Sequence, residues 1–480
     1  MEVINIMTRI AFVYPSKQTS ELGMSLGIGY LASYISRNNN IDVKILDTGV
    51  STEKEIDEFL ECEYEALGIS VTSRTYSEAI NISRKFKELH SNTPIIFGGP
   101  HVSIMMSDIL SDPVIDLAVY GEGEITLDEI VNLIKQGNCL SNYEALAKID
   151  GLIFRKGSDI VVNSPRELIR DLDSLPFPAH HLFPLNRYEG KIPMITSRGC
   201  PFACSFCASS QIWNRKWRPR SPKNIIEEIK YIIKEIGTYP IDFHDDSFNI
   251  DLKRVEAFCD EFMASNLKVP WAVRGIRADK ITEHIVEKMR TAGCTHLAIG
   301  VESANPQILE RIGKKETPEQ IANGIKILRS AGIKVTGQFM IGNPGETLET
   351  VQESIDFAKA NLGKAFFGTA VPFPKTGLWD YVQEHGKFLV EPDCTTFENI
   401  FPRIIFETPE FTAEQRLEAV EMVKQAGFPC AGGYKEKQSY VRNLRNKIIY
   451  KYLFQILPSG MSTRIYSFLQ YLNGRKKQAG

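Results

Sequence analysis

Three cysteines, Cys200, Cys204 and Cys207, fall inside eight residues of a 480-residue chain that has nine cysteines in all. They lie in "SRGCPFACSFC", spaced four and then three apart. Thiolates are soft ligands for zinc and for iron–sulfur clusters. A structural zinc site takes four protein ligands, often as two pairs. Here Cys62, Cys139, Cys259, Cys294, Cys394 and Cys430 are scattered singly. Three thiols without a fourth suit a cubane cluster with one iron open to a substrate or cofactor. The alternatives are a zinc site completed by a distant ligand and a chance gathering of small buried residues.

The elements around the motif follow a βα rhythm. "RIAFVYP", "DVKILDT", "ALGISVTS", "PIIFGGP" and "DLAVYGEGE" are short apolar runs, each followed by turn residues or a helical pattern. Apolar strands between amphipathic helices predict a doubly wound, Rossmann-like α/β domain over 1–148. Its ligands belong beyond the carboxyl ends of the strands. A linker with a small hairpin and a proline-rich crossing covers 149–185. Six further strands, "KIPMITSRG", "PIDFHDDSF", "KVPWAVRGI", "HLAIGVES", "KVTGQFMIGNP" and "FFGTAVPFP", alternate with helical stretches over 186–405. That predicts a partial (β/α)6 barrel with its functional residues at the strands' carboxyl ends. The cysteine motif follows the first of these strands. Residues 406–480 read as a small helical segment.

Bulk properties narrow the class. A net charge of −3 argues against a nucleic-acid binder. No apolar run approaches the roughly 18–20 residues of a membrane span. The first residues lack a signal-peptide layout, so the expected location is the cytoplasm, where thiols stay reduced.

The motif C-x3-C-x-aromatic-C resembles the signature of the radical S-adenosylmethionine (SAM) superfamily. The resemblance implies that Cys200, Cys204 and Cys207 hold a 4Fe-4S cluster whose open iron binds SAM, and that one electron cleaves SAM to methionine and a 5′-deoxyadenosyl radical. Other segments agree in order. "GVES" is similar to the family's ribose-contacting stretch, which implies Glu302. "FHDDSF" ends the second strand, where the SAM amino group is recognised, and offers Asp245 and Asp246. "RGIRADKI" offers Arg277, or else Arg274, for the SAM carboxylate. "MIGNPGET" implies Ile341 and Gly342 beside the adenine, with Phe206 packed near it.

A doubly wound domain before such a barrel resembles the cobalamin-binding subfamily. That resemblance implies cobalamin contacts from Ser70, Thr72, Gly98, Gly99, Gly121 and Glu122. The Asp-x-His-x-x-Gly corrinoid motif is missing after the first strand, so the lower cobalt ligand stays open; His101 reads as a solvent-facing or tail-contacting residue. The implied activity is methylation of an unactivated carbon of a small-molecule or lipid substrate, with a flavodoxin- or ferredoxin-like electron donor. A non-methylating cyclase or rearrangement enzyme is the rival, and a non-catalytic corrinoid or iron–sulfur protein a third reading. "VPFPKTGLW" carries Lys375 where the family has glycine. Tyr14, Trp213 and Trp379 are cavity-lining candidates, with core packing as their alternative. From residue 435 the tail carries about ten Lys and Arg against Glu436, with interleaved aromatics. It reads as a capping helical pair, or as a segment that lies on an anionic membrane surface.

Overall fold

A computed structural model describes residues 7–17, 23–38, 40–137, 139–188, 190–396 and 404–430. The basic tail from 435 onward lies outside these residues.

The front sheet runs β1 (Thr8–Tyr14), β2 (Ile41–Asp47), β3 (Ala66–Ser70), β4 (Ile95–Gly98), β5 (Leu117–Val119), β6 (Leu152–Lys156) and β7 (Asp159–Val162). Its spatial order is β2-β1-β3-β4-β5-β6-β7. The first five strands are parallel and the last two antiparallel. Strands β1, β3 and β5 are buried nearly throughout because helices cover both faces. The hairpin expected in the linker is β6–β7. It extends this sheet, pairing Leu117 with Phe154, rather than standing as a separate connector.

The second sheet holds six parallel strands in simple sequence order: Ile192–Met194, Ile241–Phe243, Trp271–Ile276, Cys294–Glu302, Lys334–Ile341 and Ala365–Thr369. Helices Pro222–Glu235, Leu252–Ala264, Glu283–Thr291, Pro318–Ser330 and Leu348–Asn361 cross between them. Their apolar stripes bury Ile225, Ile229, Val255, Phe258, Ile321 and Ile325 against the outward side chains of the strands. Trp271 centres this core, with Phe258 at 5.4 Å and Phe243 at 5.8 Å between ring centroids. Its indole N–H donates to Ala292 O at 2.7 Å. Beyond the barrel, helix Ala413–Gln425 opens on a Thr412/Gln415 capping box. Among the described residues no helix is long and apolar enough to cross a membrane.

One buried network crosses the elements between the sheets. Glu228, on the first barrel helix, pairs with Arg220 and lies 3.2 Å from His180 Nε2. Arg220 Nη1 donates to Tyr30 OH, on the first front helix, at 3.3 Å. All four residues are buried. Removing one partner of a buried pair strands the other charge. Glu228→Ala is therefore expected to lower unfolding stability by about 3–5 kcal/mol in a denaturant titration. Removal of the exposed Arg187–Glu55 pair through Glu55→Gln is expected to leave the denaturation midpoint almost unchanged.

Candidate active site

The cysteine loop leaves the first barrel strand through a two-residue pairing of Ser197–Arg198 with Arg218–Pro219. Gly199 then turns at φ +85°, and a Cβ there would lie 2.2 Å from Lys216 O, so glycine is required. Asp245, at the end of the second strand, accepts from Thr196 N–H at 2.7 Å, Thr196 Oγ1 at 2.5 Å and Ser197 Oγ at 2.6 Å. Asp246 accepts from Gly199 N–H at 3.1 Å. Farther along, Ser205 N–H donates to Ile312 O at 2.9 Å and Leu378 N–H to Ser205 O at 2.8 Å. Strand ends one, two, four and six thus all act on this loop.

The three thiols are free and partly buried. They lie within electrostatic range of one another. Burial pushes the Cys207 thiol up to about 12, with Asp246, Cys204 and Cys200 adding to the rise. Among the described residues no three His, Cys, Asp or Glu side chains meet at single-ion distance.

Glu302 ends the fourth strand at φ +65°, after a register shift. Its carboxylate folds over Gly300, where a Cβ would lie 2.5 Å from Oε1. Burial raises its pKa, and the Lys314 ammonium opposes the rise from 3.7 Å. Lys314 also lies 3.3 Å from Glu316, and its charge acts on Cys204.

Four residues offered for ligand contacts, Asp245, Arg277, Arg274 and Glu122, have protein partners. Asp245 is buried and filled by the three donors just named. Arg277 donates from Nε to Asp279 at 2.9 Å, from Nη1 to Lys314 O at 3.0 Å and from Nη2 to Lys315 O at 3.0 Å. Its guanidinium carbon stands 3.8 Å over the Phe202 ring. Arg274 turns down the barrel to Asp242. Glu122 accepts from Arg198 Nη1 at 2.6 Å, Arg218 Nη1 at 2.8 Å and Ile169 N–H at 2.7 Å. Asp246, by contrast, is exposed at the rim.

Ser70, Thr72, Gly98, Gly99 and Gly121 share the carboxyl end of the front sheet. Gly99 has φ +97°, and a Cβ on it would strike Val71 N and O within 2.9 Å. At Gly121 a Cβ would meet nothing within 4 Å. His101 differs from expectation: it is fully buried, bonded through Nδ1 to Ser73 Oγ at 3.0 Å and set against Tyr76. Burial lowers its pKa to about 4.

This end of the front sheet meets the cysteine loop directly. Helix Pro100–Met105 touches helix Ser209–Ile212, immediately after Cys207. Phe206 and Ile212 pack on the front-domain core. Arg198, two residues before Cys200, is held by both Glu122 and Glu124, each at 2.6 Å, and stacks on Tyr30.

The loop after the fifth barrel strand rests on a residue that sequence reasoning missed. Arg416, fully buried between the Phe406 and Phe411 rings, approaches Gly342 so closely that a Cβ there would lie 2.2 Å from Nη1. Glu346 accepts from Gly342 N–H and Asn343 N–H. Burial raises its pKa to about 7. Ile341 is buried beneath this turn. Lys375 adopts φ +64°, the left-handed conformation its glycine-like position demands. Tyr14 belongs to the front core, Trp379 packs on Phe388, and Trp213 lies under the Arg218 guanidinium.

The radical SAM superfamily model matches residues 194–358, and a B12 binding domain model matches residues 20–131. The uncharacterized methyltransferase PH0819 of Pyrococcus horikoshii is 33% identical over 405 residues, covering 82% of this chain and 85% of its own. The chain belongs to the cobalamin-dependent radical SAM methyltransferase family. An anaerobic magnesium-protoporphyrin IX monomethyl ester cyclase of Cereibacter sphaeroides is 29% identical, over 78% of this chain and 64% of its own length. The structure of the radical SAM methyltransferase TsrM from Kitasatospora setae, with cobalamin and a [4Fe-4S] cluster bound, superposes with TM-score 0.72 at 17% identity, over 87% of this chain and 91% of that one. That likeness is one of fold.

This radical SAM enzyme uses a 4Fe-4S cluster, SAM and cobalamin. The residues present fit all three. The loop offers a trio of soft donors. The glycine-lined end of the front sheet is bare of side chains at Gly121. In cluster-free protein, the raised Cys207 pKa predicts slow alkylation by iodoacetamide at pH 8 that accelerates as pH rises toward 12. Exposed Cys62 should react first when the modified peptides are followed by mass spectrometry.

Proposed function

We propose that the enzyme methylates an unactivated carbon of a small-molecule or lipid substrate. The observation that carries this reading is the three-thiol loop fastened by buried ion pairs against the ligand end of the front sheet. When bound, the cluster, SAM and cobalamin supply the electron, the radical source and the methyl group.

The chain's own part is to bind, orient and exclude water. Cys200, Cys204 and Cys207 take the cluster. Asp246, held by Gly199 N–H and by the Ser209 and Trp213 side chains, receives the SAM ammonium. Glu302 accepts from the ribose hydroxyls, oriented by Lys314. Ile341, Gly342 and Phe206 form the wall for the adenine. With Arg277 filled by protein acceptors, we assign the cationic place beside the SAM carboxylate to Lys314. Asp245 and Arg277 position the loops that carry these groups. Ser70, Thr72, Gly98, Gly99 and Gly121 form the corrinoid cradle, and Glu122, paired with Arg198 and Arg218, ties it to the cysteine loop. A flavodoxin- or ferredoxin-like protein delivers the electron.

A cyclase among the relatives favours one second reading, radical chemistry without methyl transfer. Product analysis separates the two. Anaerobically reconstituted enzyme turning over its substrate should release S-adenosylhomocysteine and 5′-deoxyadenosine in equal amounts. 5′-Deoxyadenosine alone selects the cyclase-like reading. Replacement of Cys200, Cys204 or Cys207 by Ala should abolish both products and leave the protein short of iron; unchanged cleavage in these variants overturns the proposal.

A further inference from the structure

The two sides of the barrel strands differ in kind. Ile241, Phe243, Val273, Leu297 and Ile299 point outward into the helical layer. Their alternates, Asp242, His244, Arg274, His296, Thr336 and Gln338, point inward. A (β/α) barrel is ordinarily filled by branched apolar side chains. This interior is polar and open: the Arg274 side chain is 44% exposed, and Gln338 is exposed as well, although both lie on strands paired on either side.

Its parts are tied together. Buried Asp242 accepts from Arg274 Nε at 2.8 Å, lies 2.7 Å from Arg274 Nη2, and lies 3.3 Å from His244 Nε2. The carboxylate thus fixes the plane of the guanidinium. Arg274 Nη1 makes no hydrogen bond among the described residues. One strand further, His296 bonds Thr336 Oγ1 at 2.9 Å. Burial, and then the charges of Lys191 and Lys364, keep that imidazole neutral, with its pKa lowered to about 4. Arg274 adds its positive charge at this imidazole, as do Lys191 and Lys364 from just before the first and sixth strands, and Asp242 opposes them. Phe366, on the neighbouring sixth strand, leaves an aromatic ring 39% exposed.

We propose that the barrel interior is an anion-binding site in which Arg274, aimed by Asp242, takes a carboxylate of the substrate while Phe366 meets the substrate's apolar body. A planar guanidinium with free donors matches a carboxylate fork-to-fork. The inference rests on the enzyme reading above and narrows its substrate to an organic acid with an apolar portion.

Matched probes test it: 4-fluorobenzoate and its neutral amide, 4-fluorobenzamide, titrated by ¹⁹F NMR into the reconstituted full chain. The benzoate should bind at least about tenfold more tightly than the amide. Arg274→Gln should remove that preference, and Arg274→Lys should retain part of it. Equal binding of the two probes, or undiminished benzoate binding by Arg274→Gln, overturns the proposal. So does inorganic phosphate that displaces benzoate as effectively as benzoate itself. Should Arg274→Gln fail to fold, the probe preference of the parent and of Arg274→Lys decides. Binding is read without SAM cleavage, so an enzyme that binds benzoate but leaves SAM intact contradicts the functional reading and not this one.

Discussion

Buried ion pairs between the front domain and the cysteine loop are the constraint on which the site depends. Glu122 and Glu124 leave β5 and reach Arg198, two residues before Cys200, and Glu122 also takes Arg218. These groups are nearly removed from water, so a lone survivor of any pair would sit uncompensated. The Coulombic gain is offset by desolvation, which makes such pairs better at fixing geometry than at adding stability. What they fix is the distance between two ligand ends, that of a doubly wound sheet and that of a barrel.

The same economy recurs around the loop. Asp245 gathers three donors from Thr196 and Ser197, and Arg277 gathers carbonyls from Lys314 and Lys315. Such residues touch the loops and leave the open valences to others. Asp246 stays exposed, and Glu302 half-buried, with the buried Lys314 ammonium beside it. Arg416 plays the corresponding part from the last described helix, closing on Gly342 where only glycine fits.

Much of this was legible in the sequence. Each predicted front strand corresponds to one of β1–β5, because fully apolar runs between helical patterns have few other solutions. The six barrel strands were equally clear, and the Lys375 departure from glycine marked a real left-handed position. Partners were not legible. Glu122, Asp245 and Arg277 stand at strand ends, as expected of ligand contacts, yet apart from Asp279 their side-chain partners come from segments 37 to 96 residues away. Spacing within one motif carries no trace of such a pairing. Lys314 and Arg416 escaped for the same reason: each lies on a helix-flanking or helical stretch whose local pattern is ordinary. His101 was misjudged because burial under the Gly99 turn is a tertiary fact. The polar interior was hidden in plain alternation, since a half-exposed strand reads the same whether its polar side faces bulk water or a lumen.

The central claim is that three thiols on one loop leave a cluster iron open to SAM. Electron paramagnetic resonance of the reduced, reconstituted enzyme addresses it directly. Addition of SAM should shift the g-values of the reduced cluster, through direct binding at the open iron. A spectrum that does not respond to saturating SAM, or a cluster signal that survives loss of Cys200, Cys204 or Cys207, would contradict the account.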